Sequence, residues 1–162
     1  MTDARRRFTL ERMFDATLEE VWALWTTKDG IEAWWGPEGF RVTVRELDLR
    51  VGGELRYDMT ATGPLQIAFM EESGLPLTTE SRGSYREVVP LRRLGFALLA
   101  DFVPDVSPYE VETVVELERV GARVRMVLTF DAMHDAHWTD LARRGHESEL
   151  DKLATLIEAR RA

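Results

Sequence analysis

The three histidines are the first residues to consider for chemistry, because imidazole binds metal ions and transfers protons near neutral pH. They are His134, His137 and His146. His134 and His137 are three positions apart, so on a helix they would share one face. Zinc requires three or four ligands, and the sequence has neither a His-Glu-x-x-His pattern nor a carboxylate at a fixed spacing from these residues. We therefore predict no metal site, and we expect the histidines to cap or flank the last helix.

Acidic residues within the predicted strands are the next candidates, as general acids or bases. Glu87, Asp101 and Asp58 could serve if they pointed inward and burial raised their pKa. No specific partner accompanies any of them, and carboxylates are rarely buried unpaired, so we expect all three to point outward into solvent. The chain also has no phosphate-binding glycine loop, nucleophile elbow or triad spacing. The sequence therefore favours a non-enzyme and predicts no cofactor.

Composition narrows the class of protein further. The chain has no cysteine, which excludes disulfides, thiolate nucleophiles and cysteine-based zinc sites. Its net charge is −8, and the only basic cluster, Arg5–Arg7, is too short to form a groove, so we predict no nucleic-acid binding. Met1–Glu11 lacks the apolar stretch of a signal peptide, and the longest apolar stretch, Leu94–Ala100, is far short of the ~20 residues that span a bilayer. We expect no membrane association and a cytoplasmic location.

The strands and helices that position these residues can be predicted from the spacing of apolar residues along the chain. With 162 residues, 44% of them hydrophobic, we predict one domain over residues 1–162. The predicted strands are Phe8–Phe14, Phe40–Leu49, Glu54–Met59, Gly83–Val89, Leu91–Phe102, Tyr109–Glu118 and Ala122–Asp131. A capping box at Thr17 and Glu20 begins a first helix, a second short helix runs from about Asp29 to Trp35, and a long one covers about Ala136 to Arg160. Gly145 interrupts that last helix and is expected to mark a bend.

Two segments carry more specific expectations. Thr60–Arg82 has weak periodicity and contains Gly63-Pro64, so we predict a long loop, with at most a short helix, that is mobile and gates a cavity. Glu116, Glu118, Arg123 and Arg125 alternate with apolar residues on the last two strands. A turn centred at Val120-Gly121 would place Glu118 opposite Arg123 and Glu116 opposite Arg125, in a charged ladder that faces solvent.

Several motifs in order resemble one known family. They are Arg12–Phe14 followed by Asp15-Ala16, Val21-Trp22, Trp34-Trp35-Gly36-Pro37, Asp48-Leu49-Arg50-Val51-Gly52-Gly53 and Leu150-Asp151-Lys152-Leu153. This pattern resembles the START-like (SRPBCC) superfamily, in the branch similar to the C-terminal domain of the activator of heat-shock-protein-ninety ATPase. The family usually has Gly-Trp early in the last helix, whereas this chain has Gly145-His146. The resemblance implies an α+β helix-grip fold, a curved antiparallel sheet of about six to seven strands around the long C-terminal helix, with a hydrophobic cavity between them.

The implied cavity gives a set of candidate residues. Trp34 and Trp35 could roof a ligand pocket, although paired tryptophans more often anchor a core. Inward strand positions should face the last helix across the cavity, with Trp35 and Phe69 near its mouth. The candidate cavity residues are Trp35, Met59, Phe69, Tyr85, Phe96, Tyr109, Thr113, Met126, Leu128, Trp138 and Leu141. Among them, the hydroxyls of Tyr85 and Tyr109 would orient a ligand by hydrogen bonding.

Three classes of function are compatible with the sequence. We favour a binding protein that holds a lipophilic small molecule in the cavity. The alternatives are a cyclase- or aromatase-like enzyme that uses the same cavity, and a regulator of a chaperone ATPase, as the family resemblance suggests. An all-apolar wall would favour the binding protein, and a pair of inward polar groups would favour the enzyme. Because the resemblance covers only the activator's C-terminal domain, we expect no second, chaperone-binding domain here. The sequence leaves the oligomeric state open, with a homodimer as one alternative.

Overall fold

The computed structural model describes residues 6–101, 103 and 105–161, so Arg5 of the arginine cluster and Phe102 of a predicted strand lie outside it. Seven strands and four helices make up the described chain. In chain order they are β1 (Arg7–Phe14), α1 (Leu18–Thr26), α2 (Lys28–Trp34), β2 (Phe40–Leu47), β3 (Glu54–Ala61), α3 (Pro64–Glu72), β4 (Thr78–Val89), β5 (Arg93–Ala100), β6 (Tyr109–Val120), β7 (Arg123–Asp131) and α4 (Ala136–Arg161). The α+β fold class is confirmed, with two short helices after the first strand and a long helix at the C-terminal end.

All seven strands form one antiparallel sheet in the order β1-β7-β6-β5-β4-β3-β2. Strands β2 to β7 follow one another as a meander, and β1 is added at one edge of the sheet by pairing with the last strand, β7. Irregularities between Val44 and Glu46 and between Tyr85 and Glu87 interrupt the register, and such bulges bend a strand locally. The arrangement is helix-grip-like, as the sequence predicts.

The first two helices begin where the sequence indicates. Thr17 accepts a hydrogen bond from the Glu20 amide, and the Glu20 carboxylate accepts one from the Thr17 amide, which completes the predicted capping box. Thr27 then caps α2 by accepting from the Gly30 amide at 3.0 Å. These two helices bring Trp25, Trp34 and Trp35 onto the inner face of the sheet, where all three are buried.

The predicted loop over Thr60–Arg82 is wrong for much of its length. Strand β3 continues to Ala61, α3 begins with Pro64 at its first turn, and β4 already starts at Thr78. The ladder between β3 and β4 runs to the pair Thr60 and Thr78, whose hydroxyls are 2.9 Å apart. The segment is therefore a strand end, a short helix and a strand start, and only the two connections around α3 are irregular.

The charged face of the last hairpin is confirmed, but the predicted pairing is wrong. Glu116, Glu118 and Arg123 are exposed and Arg125 is half-buried. The turn is Gly121-Ala122, with Gly121 at φ 61°, so Val120 pairs with Arg123 and Glu118 pairs with Arg125. A glycine favours the left-handed position of a two-residue turn, which moves the register by two residues from the predicted one. Charged residues of this face also form ion pairs with the neighbouring strands. Glu116 pairs with Arg93 on β5 at 2.9 Å, and Arg125 pairs with Glu11 on β1 at 2.7 Å.

The three acidic residues also point away from the core, as predicted, and Asp101 lies just beyond β5. Asp58 accepts a hydrogen bond from Arg45 at 2.8 Å, Glu87 pairs with Arg93, and Asp101 is exposed. None of the helices in the described part of the chain combines the length and apolarity that a membrane crossing requires.

Candidate functional site

A cavity of about 320 Å³ lies between the inner face of the sheet and the first half of α4. Its wall is mostly apolar and contains six aromatic side chains from α1, α2, the sheet and α4. The described lining residues are Trp25, Trp34, Trp35, Pro37, Tyr57, Met59, Phe96, Leu98, Thr113, Met133, Trp138, Leu141, Ala142, Gly145, His146 and Glu149. The volume is at the lower end of the ~300–1,000 Å³ that small-molecule sites usually occupy.

The two halves of α4 explain why this space is open. In the second half, Leu150, Leu153 and Ile157 are buried in the core. In the first half, the described residues 136–149 include no fully buried side chain, and Leu141 is 42% exposed. Gly145 contributes no side chain, and a Cβ placed there would meet no described atom within 4 Å. The helix is therefore anchored by its second half, and its first half covers the cavity without filling it.

The three tryptophans form one side of the cavity. Their rings pack edge to face, with centroids 4.7 Å apart for Trp25–Trp34 and 6.0 Å apart for Trp25–Trp35. The Trp34 indole donates to the Leu24 carbonyl at 2.8 Å, and the Trp25 indole lies 3.2 Å from the Met126 sulfur. The Trp35 indole N–H is buried and has no acceptor among the described residues. Buried donors are normally paired, so this one is an exception that calls for an explanation.

The loop after α2 is attached directly to α4. The amide of Gly36 donates to Glu149 Oε2 at 2.8 Å, and the amide of Glu38 donates to the Ser148 hydroxyl at 3.0 Å. Lys152 Nζ donates to the Gly36 carbonyl at 2.9 Å, and burial lowers the pKa of this amine, against the raising effect of Glu149 and Glu38. These bonds fix Glu149 at the cavity wall and hold Trp35 beside it.

His146 is the second polar group contributed by α4. Its ring packs on Phe130 with centroids 4.4 Å apart, and its Nδ1 lies 3.5 Å from Glu149 Oε1. The imidazole thus keeps a ring contact with the core and adds a titratable group to the wall. Tyr57 lies opposite on β3, and burial, followed by the nearby charge of Glu149, raises the pKa of its hydroxyl, while a hydrogen bond with Ser81 opposes this. The wall is therefore neither wholly apolar nor rich in polar groups.

The structure brings six of the eleven candidate residues together around the cavity. They are Trp35, Met59, Phe96, Thr113, Trp138 and Leu141. The other five lie elsewhere. Tyr85, Met126 and Leu128 point to the same side of the sheet but are covered by the packed core, Met126 being 0% exposed, and Phe69 is 59% exposed on α3. The Tyr109 hydroxyl is 2.8 Å from His134 Nδ1, at the entrance to α4.

Of the cavity residues outside the candidate set, four lie on α4 and one, Tyr57, lies on β3. Tyr57 is two positions before Met59 and therefore shares its face of the strand, which the period of a strand could have shown. Gly145, His146 and Glu149 follow Leu141 and Ala142 at spacings of three and four, so a helical projection could have placed them together. The link between Gly36 and Glu149 joins residues 113 positions apart, and no local pattern indicates it.

Other parts of the described chain show less chemistry. His134 contacts Tyr109 and Asp135, and within the described residues no group of three His, Asp or Glu side chains could hold a metal ion. Two further depressions lie on the outer face, one of them lined by Arg93, Glu116 and Arg125, whose charges already pair with neighbours. The Tyr85 hydroxyl is buried without a described partner, and burial raises its pKa.

Comparisons with known proteins agree with this geometry. The protein of Chromobacterium violaceum called CV1439 superposes with a TM-score of 0.78 at 25% identity, with 94% of this chain and 96% of that chain covered. An AHSA1 protein from Silicibacter pomeroyi gives a TM-score of 0.74 at 22% identity over 96% of this chain and 99% of its own. An AHSA1-like protein from Aeromonas hydrophila gives 0.71 at 22% identity, with 95% and 93% covered.

A search of the curated proteins found no match. The family model described as "Activator of Hsp90 ATPase homolog 1-like protein" matches residues 15–158. Because that match spans most of the chain, the family predicted from the sequence motifs is confirmed. The chain belongs to the Activator of Hsp90 ATPase homolog 1-like family of the SRPBCC superfamily.

Proposed function

We propose that the protein binds a lipophilic small molecule in the cavity under the first half of α4. One observation supports this above all, namely that about 320 Å³ stays open among large apolar side chains. The pocket is partly open to solvent, so some of its apolar wall is uncovered, and uncovered apolar surface of this kind often marks a binding site. Space of this size beside aromatic rings and a few polar groups is typical of a ligand site.

A dye titration with a filling variant tests the proposal. Ala142 lines the cavity from α4, so Ala142→Phe should fill it and abolish binding of an environment-sensitive hydrophobic dye. Ala159→Phe is the matched control, because it makes the same change at an exposed position of the same helix. Both variants should keep the circular dichroism spectrum of the wild type. Equal dye binding by the wild type and both variants would show that the dye binds elsewhere and would contradict the proposal.

Native mass spectrometry of freshly purified protein provides an independent test. A bound molecule of constant mass, lost in Ala142→Phe and retained in Ala159→Phe, would support the proposal and identify the ligand by mass. The same spectrum reports the oligomeric state, and with it whether the homodimer allowed by the sequence forms.

An enzyme that acts on the bound molecule is the second candidate, and the pair of His146 and Glu149 favours it. A carboxylate 3.5 Å from the imidazole can orient the ring, and a general base must be held in position. Proton exchange at the methyl group of an aryl methyl ketone in D₂O, followed by NMR, tests this chemistry. Catalysed exchange that is lost in His146→Gln and kept in His137→Gln, an exposed control on the same helix, would support the enzyme.

A role in regulating a chaperone ATPase remains a third proposal, and it comes from the family description alone. Stimulation of Hsp90 ATPase activity by the purified chain would support this role. An unchanged ATPase rate at saturating protein would remove it.

A further inference from the structure

The buried indole of Trp35 gives information about the chemistry of the ligand. Its residue is 6% exposed, it lines the cavity, and its N–H has no acceptor among the described residues. The indoles of the two neighbouring tryptophans, Trp25 and Trp34, both have a partner within the protein. An unpaired buried donor is unfavourable, so a ligand that accepts this hydrogen gains an advantage over one that does not.

The surroundings of Trp35 restrict where an acceptor can come from. Rings cover it on several sides, with centroids 5.3 Å away for Tyr57 and 5.8 Å away for Phe96. The Tyr57 hydroxyl is already engaged with Ser81, and the carboxylate of Glu149 is engaged with the Gly36 amide and His146. Trp35 lines the cavity, but its N–H is buried there too, so an acceptor on a ligand reaches this N–H only when the indole or its neighbours shift.

The charges at the wall restrict the ligand further. Glu149 is the only carboxylate among the described lining residues, and no lysine or arginine is among them. The amine of Lys152, which follows Glu149 on α4, is held by the Gly36 carbonyl. An anionic ligand would therefore lie beside a carboxylate in an apolar site without a lysine or arginine to pair with, which is unfavourable.

We propose that the cavity selects an uncharged aromatic molecule carrying a hydrogen-bond acceptor, such as a ketone or ether oxygen, that accepts the Trp35 indole hydrogen. This inference rests on the proposed function, and it adds the class of ligand. The six aromatic side chains favour an aromatic skeleton, because offset and edge-to-face ring contacts add to the burial of apolar area.

Three matched probes test the inference. 2-Acetylnaphthalene carries a neutral carbonyl, 2-isopropenylnaphthalene replaces its C=O with the similarly shaped C=CH₂, and 2-naphthoate adds a negative charge. We expect the ketone to bind roughly 3- to 10-fold more tightly than the alkene, which corresponds to one net hydrogen bond. The naphthoate should bind more weakly than both.

A spectroscopic readout identifies the donor directly in the wild-type protein, once its signal is assigned. In a ¹H–¹⁵N spectrum, each of the five tryptophans contributes one indole signal, and the Trp35 signal is assigned by its loss in Trp35→Phe. The ketone should move the Trp35 indole signal to higher ¹H frequency, because a hydrogen bond deshields the proton. The alkene, which cannot accept a hydrogen bond, should not produce this move. In Trp35→Phe, the ketone should lose its advantage over the alkene.

The outcomes separate this inference from the proposed function. Equal affinity for ketone and alkene, or an unmoved Trp35 signal, would contradict the proposed hydrogen bond from Trp35 to the ligand. The proposed binding function would still stand. Naphthoate binding as tightly as the ketone would overturn the selection against anions. If none of the three probes binds at its solubility limit, the proposed function fails, and the inference fails with it.

Discussion

Gly145 offers a sharp test of how α4 lies over the cavity. The residue sits within the helix, where glycine is less favourable than alanine by about 0.8–1.0 kcal/mol. A Cβ added at Gly145 would meet no described atom within 4 Å, so Gly145→Ala should gain helix stability without steric cost. We expect the free energy of unfolding to rise by about 1 kcal/mol and the midpoint temperature by about 2–4 °C.

Gly30→Ala is the matched control, because it makes the same change in another helix with the opposite surroundings. Its Cβ would lie 2.3 Å from the Ala23 carbonyl oxygen and 2.8 Å from the Leu24 Cα, which are backbone atoms that cannot rotate away. Overpacking of this kind typically costs about 1–3 kcal/mol, so this variant should be less stable than the wild type.

Urea unfolding followed by tryptophan fluorescence measures both variants on one scale. The m-value should stay that of the wild type, since neither change alters the area exposed on unfolding. If Gly145→Ala destabilised the protein by about 1 kcal/mol or more, against the gain expected from helix propensity, the first half of α4 would have to pack against the sheet. The description of an open cavity beneath it would then be wrong.

Three further predictions concern buried and paired groups. The Lys28 ammonium, and then a backbone amide, lower the pKa of Glu32, so its stabilising effect is present above about pH 4.3 and is lost as the pH falls. Glu32→Gln should therefore cost about 1 kcal/mol at pH 7 and nothing at acid pH, by urea unfolding. Asp131→Ala should cost about 1–3 kcal/mol, because it leaves the Glu112 amide without its carboxylate acceptor. Burial raises the pKa of Tyr57 and Tyr85, so at pH 11 the folded protein should absorb less at 295 nm than the urea-unfolded chain.

Each of these predictions has a control or a contrary result. A gap between wild type and Glu32→Gln that persisted at pH 3 would show that the loss is not electrostatic. Asp101→Ala, at an exposed acid beyond β5, should change the stability by less than about 0.5 kcal/mol. Equal absorbance of the folded and unfolded chains at pH 11 would contradict the buried tyrosine hydroxyls.

The fold was predictable from the sequence wherever a local signal determined the structure. The capping box at Thr17 and the alternation on β6 and β7 each reflect physics that acts over a few residues. The helix α3 was expected at most as a short helix within a long loop, because its large side chains do not form a buried stripe, Leu65 and Phe69 both being exposed. Pro64 at its first turn was the signal that could have indicated it.

The candidate site was only partly predictable, for a different reason. A period of two shows which strand residues face inward, but it does not show which of them the core covers. Met126 and Met59 both face inward, yet the first contacts the Trp25 indole in the core and the second lines the cavity. That difference depends on where the second half of α4 packs on the sheet. This packing joins segments that are distant in the sequence, so no local pattern shows it.

The pairing of the first strand, β1, with the last strand, β7, has a consequence for how the chain folds. Strands β2 to β7 each pair with a sequence neighbour, whereas Arg7 on β1 bonds to Asp131, 124 positions further along. Closing so large a loop costs entropy before any contact is made, and long-range pairing of this kind slows folding. During synthesis β1 emerges first but has no partner strand until β7 follows. We expect strands β2 to β7 to form first and the pairing of β1 with β7 to be the late, slow step. A variant that lacks the residues before Ala16 should fold without that slow step.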